Sequence, residues 1–224
     1  DSDLPISTKP VTRAECGLPE EGLVFCCFNN NFKLNPEIFD IWMRLLKANE
    51  RSVLWLLADN VAAVKNLRAE AQARGVAPQR LIFAERIELS EYLARHRLAD
   101  LFLDTVPYNG HATASAALWA GLPVLTCLGK TFPGRVAASL LSAIGLPELV
   151  ANDLGEYEAL AMELAAKPEK RAALRQRLAD NRLSFPLFDT RHFTRNLETA
   201  YVTMRKLHQD GVPPEHIYVA RDAH

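Results

Sequence analysis

Apolar and polar positions divide this chain into two regimes. Up to about residue 150, short runs that are apolar at nearly every position alternate with longer stretches in which apolar residues recur every three or four positions. The short runs, 23–28, 52–58, 80–84, 101–104 and 123–127, read as strands; the stretches 36–48, 61–75, 88–98, 112–120 and 135–144 read as helices. Gly75 and Gly121 stand where a glycine's left-handed freedom ends a helix. Strands alternating with helices predict right-handed crossovers and a parallel sheet covered on both faces. Runs that are apolar throughout fit such strands, because neither of their faces meets water.

Beyond Val150 the pattern becomes helical only: 154–166, 168–183 and 191–209. In the last of these, Phe193, Leu197, Tyr201, Met204 and Leu207 recur at helical spacing, which predicts a face packed on the core. The expected fold class is therefore α/β: a doubly wound parallel sheet over residues 21–150, followed by C-terminal helices and a tail, 151–224, on the same domain. Residues 1–20, rich in proline and charge, read as a linker into a missing upstream region.

Composition narrows the function classes. A chain of 224 residues, 49% hydrophobic and 24% charged, is ordinary for a globular protein and long enough for a substantial core. A formal net charge of −1 argues against holding nucleic acid by bulk electrostatics. No apolar run approaches the roughly 20 residues of a membrane span, and the start Asp1-Ser-Asp lacks the basic-then-apolar pattern of a secretory leader. Cys16, Cys26, Cys27 and Cys127 form no CxxC and no Cys/His ligand spacing, so no metal site is expected and free thiols in a reducing cytoplasm are the plain reading. GxGxxG, GxxxxGK[ST] and GxSxG are all missing, which speaks against a dinucleotide dehydrogenase, a P-loop NTPase and a GxSxG hydrolase.

Two loops carry candidate chemistry. The segment Asp104-Thr-Val-Pro-Tyr-Asn-Gly-His-Ala-Thr113 leads from a strand end through a polar turn into a helix of small residues starting near Ala112. Such a helix start presents bare N–H groups and the positive end of its dipole, a place for a phosphate or pyrophosphate. Phe28-Asn-Asn-Asn-Phe-Lys33 follows another strand, and Pro36 suits the first turn of the next helix. Lys33 thus stands at the carboxyl end of a strand, where open parallel sheets bind ligands. Alone, the first loop is an ordinary crossover and Lys33 a solvated cation; together they point to a diphosphate. His111 reads as a ligand-binding or structural residue sooner than as a base, and Asp104 as a cap on the Asn109-Gly110 turn.

From Thr12 to Val212 the chain resembles the C-terminal lobe of the O-linked N-acetylglucosamine transferase family, the SPINDLY-like inverting glycosyltransferases. The resemblance rests on Val11-Thr-Arg-Ala-Glu-Cys-Gly-Leu-Pro-Glu20, Phe28-Asn-Asn-Asn-Phe-Lys33, Ser52-Val-Leu-Trp-Leu-Leu57 and Leu98-Ala-Asp-Leu-Phe-Leu-Asp-Thr105, followed by Asn109-Gly-His-Ala-Thr113, Leu118-Trp-Ala-Gly121, Arg135-Val-Ala-Ala-Ser139 and Ser184-Phe-Pro-Leu-Phe188, in that order. It implies one Rossmann-like lobe of a two-lobed GT-B enzyme, the lobe that holds a nucleotide-sugar donor. The expected reaction is metal-free, inverting transfer of GlcNAc from UDP-GlcNAc to Ser or Thr of a protein acceptor. The upstream lobe and tetratricopeptide repeats, which present the acceptor, are absent, so the isolated chain is expected to be catalytically silent.

By position, the resemblance makes Lys33 the catalytic lysine that neutralises the diphosphate, and Asn30 a polar diphosphate contact. It places His111, Ala112 and Thr113 at the phosphates, Tyr92 as the aromatic stacked on uracil, Arg95 at the base, and the backbone near Ile87 on the uracil edge. Two departures stand out. Ala116 replaces an aspartate that bonds the ribose, and Lys130 replaces the glutamate of a Gly-Glu-Thr loop. They leave two alternatives open: a lobe using GDP-fucose, as SPINDLY-type relatives do, or a nucleotide-binding module without transfer activity.

Overall fold

A computed structural model of the chain describes residues 3–219. Six strands form one parallel sheet: β1 (Val24–Cys27), β2 (Val53–Leu57), β3 (Leu81–Ala84), β4 (Leu101–Leu103), β5 (Val124–Cys127) and β6 (Val150–Ala151), in the spatial order β3-β2-β1-β4-β5-β6. Phe25 on β1 lies opposite Leu54 on one side and Leu101 on the other. Every residue of β1, β2, β4 and β5 is buried, as uniformly apolar runs require of doubly covered strands. The sixth strand was not legible in the pattern. Two residues show no period, and β6 exists because β5 offers it an edge at Thr126 and Cys127.

The helices are α1 (Pro36–Ala48), α2 (Val61–Ala73), α3 (Leu89–Arg95), α4 (Ala112–Trp119), α5 (Val136–Ala143), α6 (Leu154–Ala166), α7 (Pro168–Asn181) and α8 (Thr190–Gln209). Asn35 caps α1 by accepting from the Ile38 N–H at 3.0 Å, with Pro36 in the first turn. Asn60, Asp153 and Asp189 cap α2, α6 and α8 in the same way. α3 is shorter than its periodicity suggests, and a single tighter turn, His96–Leu98, completes it before β4.

Strand order reverses between β1 and β4, so the crossovers on the two sides run along opposite faces of the sheet. The loops after β1 and β4 diverge there and open a crevice at the carboxyl edge. α6 closes the fold beneath it. The Tyr157 hydroxyl donates to the Asp104 carbonyl at 3.1 Å and accepts from Trp42 Nε1 at 3.2 Å, which ties α6 and α1 to the end of β4.

Two segments differ from expectation. Residues 3–20 lie along the domain: the Ser7 N–H donates to the Ser90 carbonyl at 3.1 Å, Trp119 Nε1 donates to the Leu4 carbonyl at 2.9 Å, and Leu4 and Ile6 pack on the core. An extended segment bonded to helices carries no periodicity, so it reads as a linker. The apolar face of α8 is the second. No α8 residue is buried, and Phe193, Tyr201 and Met204 are 63%, 58% and 53% exposed. Spacing reveals an amphipathic face but not what covers it; among the described residues nothing does. α7, by contrast, is pinned by arginines on foreign carbonyls, Arg177 on Gly145 at 2.8 Å and Arg182 on Trp119 at 3.0 Å.

Tyr157→Phe leaves the Asp104 carbonyl and Trp42 Nε1 buried without partners, and is expected to lower unfolding free energy by about 1–3 kcal/mol. Urea unfolding of parent and variant checks this; a midpoint shift near zero refutes it.

Candidate functional site

The turn between β4 and α4 is held from behind by Asp104, a fully buried carboxylate at the end of β4. Its Oδ1 accepts from Asn29 Nδ2 at 3.0 Å, the Thr105 N–H at 2.9 Å and the Gly110 N–H at 2.6 Å. Its Oδ2 accepts from the Thr126 hydroxyl at 2.7 Å. Burial pushes its pKa up to about 6, and these four donors hold it down from going higher. Asp104 thus caps the turn, as its position suggested. His111 then occupies the N-cap position of α4 but offers no side-chain cap; its Nε2 lies 3.3 Å from the Pro133 carbonyl. Among the described residues α4, like α5 and α7, has no side-chain cap, whereas α1, α2, α3, α6 and α8 are capped. The small residues Ala112 and Thr113 leave its first N–H groups approachable.

Lys33 comes to this turn from the loop after β1. Its Nζ donates to the Asn109 carbonyl at 2.7 Å and lies 3.9 Å from the centre of the Tyr108 ring. Partial burial lowers the lysine pKa, and the negative charge of Asp104 opposes that shift. Asn30 faces Arg86, which donates to its Oδ1 at 2.8 Å and to Asp59 at 3.0 Å. A cation and an uncapped helix start therefore meet at one edge of the crevice.

Six of the nine expected residues line one cavity of about 370 Å³: Ile87, Tyr92, Arg95, Ala112, Thr113 and Ala116, with Phe28, Leu57, Arg86 and Leu89 completing the wall. Lys33, Asn30 and His111 stand beside it. Tyr92 and Arg95, one turn apart on α3, are neighbours, with the guanidinium carbon 4.8 Å from the Tyr92 ring centre. Arg95 is 3% exposed and lies 4.5 Å from the Phe28 ring centre. Its Nη1 donates to the Glu85 carbonyl at 2.8 Å, while Nε and Nη2 meet no partner among the described residues. A larger cavity of about 450 Å³ lies against the amino-terminal segment and shares only Ile87 and Arg95 with the first. It lacks the start of α4, which Ala112 and Thr113 bring to the smaller cavity, so the smaller cavity is the better candidate.

Two participants escaped sequence reasoning. Asn29, 2% exposed, accepts a hydrogen bond from the Thr113 hydroxyl and so links the two loops. Within a run of three asparagines nothing marked which one turned inward. Arg86 bridges Asn30 and the cavity wall; its neighbour Ile87 was the available signal.

The model for glycosyl transferase family 41 matches residues 2–197. The chain belongs to this family. A family 41 relative in Arabidopsis thaliana, described as a probable UDP-N-acetylglucosamine–peptide N-acetylglucosaminyltransferase SEC, is 42% identical over 214 residues, 95% of this chain and 22% of that protein. The UDP-N-acetylglucosamine–peptide N-acetylglucosaminyltransferase of Caenorhabditis elegans is 34% identical across 96% of this chain and 19% of its own length. The chain thus spans about a fifth of these relatives. Among solved structures, the O-GlcNAc transferase of Thermobaculum terrenum, a mutant form, superposes with a TM-score of 0.80 at 35% identity over 85% of this chain and 38% of that one. Sucrose-phosphate synthase of Thermosynechococcus elongatus, at 18% identity and a TM-score of 0.57, shares the fold. Among the described residues of this family 41 chain, no helix is long and apolar enough to cross a membrane.

Next to the cavity, His96 is fully buried, its Nδ1 2.8 Å from the Tyr92 carbonyl, and burial lowers its pKa to about 4. In the unfolded chain it takes a proton near pH 6.5, so its contribution to stability is lost as pH falls from there toward 4. Asp104 acts oppositely. Its raised pKa means that the folded state binds the extra proton between about pH 6 and 4, so its contribution grows as pH falls through that window. The two trends offset each other. His96→Gln removes one of them: relative to the parent, the variant is expected to gain about 2 kcal/mol between pH 7 and pH 5. Urea unfolding at both pH values measures the difference, and a constant gap between the two proteins refutes it.

Proposed function

We propose that this chain is the donor-binding lobe of an inverting protein O-glycosyltransferase that moves GlcNAc from UDP-GlcNAc to Ser or Thr hydroxyls. The observation that carries the reading is the convergence of Lys33, the uncapped start of α4 and the cavity bounded by Tyr92 and Arg95. Uridine fills the cavity, with its base against Tyr92 and its edge on the Ile87 backbone and the unpartnered N–H groups of Arg95. A buried guanidinium with two of its three nitrogens short of acceptors among the described residues favours a ligand that brings carbonyl oxygens. The ribose passes Ala116, and the diphosphate rests on the N–H groups at His111, Ala112 and Thr113, with Asn30 as a further polar contact.

The chemical task of this lobe is to stabilise charge on the departing UDP as the acceptor hydroxyl attacks the anomeric carbon. Lys33 and the helix start supply that stabilisation, in a scheme without a metal. In this scheme the base and the repeats that present the protein acceptor would lie outside this lobe, and a cytoplasmic setting suits the free thiols. The names of the relatives support the donor and the acceptor class.

Calorimetric titration of the chain with UDP and GDP tests the donor; tighter binding of GDP overturns it. Lys33→Ala in the full-length enzyme is expected to cost on the order of 10²–10³ in kcat with the fold intact. Unimpaired turnover removes Lys33 from the mechanism. Ala116→Asp is expected to tighten UDP binding by about 1 kcal/mol, since a carboxylate there accepts from the ribose hydroxyls. Equal or weaker binding moves the ribose elsewhere.

A further inference from the structure

Asp104 does not line the cavity, yet the hydrogen bonds that hold the turn before α4 run back to it. Asn29 Nδ2 donates both to Asp104 Oδ1 at 3.0 Å and to the Thr105 hydroxyl at 2.8 Å. Asp104 Oδ1 already accepts from the Thr105 and Gly110 N–H groups, so the Asn29 atom facing it must be the donating nitrogen, and this bond fixes which way the Asn29 amide points. Asn29 Oδ1 is left facing Thr113, and the Thr113 hydroxyl must donate to it. The hydroxyl proton of Thr113 is thereby committed inward. Toward the crevice Thr113 offers only oxygen lone pairs and its backbone N–H. The Gly110 N–H is drawn back onto the same carboxylate oxygen at 2.6 Å. A side chain at 110 would not fit: its Cβ would lie 2.8 Å from Thr113 Oγ1 and 2.9 Å from Asn29 Oδ1. Asn109, next in line, turns its carbonyl to Lys33.

We propose that Asp104 is a positioning residue of the donor site. Its carboxylate sets the turn that aims the first N–H groups of α4, places the landing point of Lys33, and through Asn29 makes the Thr113 hydroxyl an acceptor toward the ligand. The inference rests on the reading of the crevice as a nucleotide-diphosphate site. It adds that the diphosphate is held there by backbone N–H groups and Lys33, with the Thr113 hydroxyl receiving a hydrogen bond from a ligand hydroxyl.

The test uses the chain itself, with UDP titrated by calorimetry and folding followed by circular dichroism. Asp104→Ala strands the Gly110 and Thr105 N–H groups and is expected to weaken UDP binding about 10- to 100-fold. Asp104→Asn keeps an acceptor oxygen for all three Oδ1 donors, and its amide can donate to the Thr126 hydroxyl; it is expected to bind within about fivefold of the parent. Folded Asp104→Ala with parental affinity overturns the proposal, and so does Asp104→Asn that binds as poorly as the alanine variant. Should Asp104→Ala fail to fold, Thr126→Val decides. Thr126 is fully buried on β5 and lines neither cavity, so an effect on UDP has to pass through the carboxylate. A loss of about three- to tenfold in affinity upholds the proposal, and no loss overturns it.

If the parent takes up no UDP, the reading of the crevice falls. Hydrogen exchange at the Gly110 amide then judges Asp104 separately. Protection in the parent that weakens in Thr126→Val upholds its hold on the turn, and equal exchange in both overturns it.

Discussion

β1 and β4 lie side by side at the middle of the sheet, and because the chain leaves them along opposite faces, the loops that follow them part. Asn29, Asn30 and Lys33 come from one loop; the Asn109-Gly110-His111 turn and α4 come from the other. The two are separated by some 75 positions in sequence, as the Asn29–Asp104 hydrogen bond records. No local preference brings them together. The parallel pairing of Phe25 with Leu101 does, and it holds only while both strands stay buried between helical layers.

Polar groups buried at this edge are kept at a cost in stability. Burial raises the Asp104 pKa to about 6 and lowers that of His96 to about 4, and among the described residues Arg95 keeps two nitrogens without acceptors. Removing such groups from water is unfavourable unless partners compensate. Asp104 has its full set of donors. Arg95 does not: among the described residues its Nε and Nη2 have no acceptor, at the wall of the cavity. That contrast separates a buried charge that the turn satisfies from one that the fold leaves partly unsatisfied.

Much of the element pattern was legible because the five longer strands are almost uniformly apolar runs and helices such as α1 and α8 have a periodic face. Helices at 36–48 and 154–166 end where the spacing ends, since Asn35 and Asp153 cap them and Asn49 and Lys167 lie outside the apolar repeat. β6 was not legible, because its two residues pair only when β5 is in place. The amino-terminal segment was not legible either, since Leu4 and Ser7 are held by a tryptophan and a helix that meet them only in the folded chain.

For the site, local sequence was enough to mark Lys33 after a strand and His111-Ala112-Thr113 at a helix start, because strand ends and capless small-residue helices have recognisable composition. The roles given to Tyr92, Arg95 and Ile87 came from family likeness, and helical spacing alone put Tyr92 beside Arg95. What only the tertiary structure decided was direction: that Asn29 turns inward while Asn30 faces Arg86, that Asp104 reaches Gly110, and that among the described residues nothing covers the apolar face of α8. Side-chain direction depends on which partners burial supplies, and those partners lie on other strands, beyond the reach of any short-range pattern.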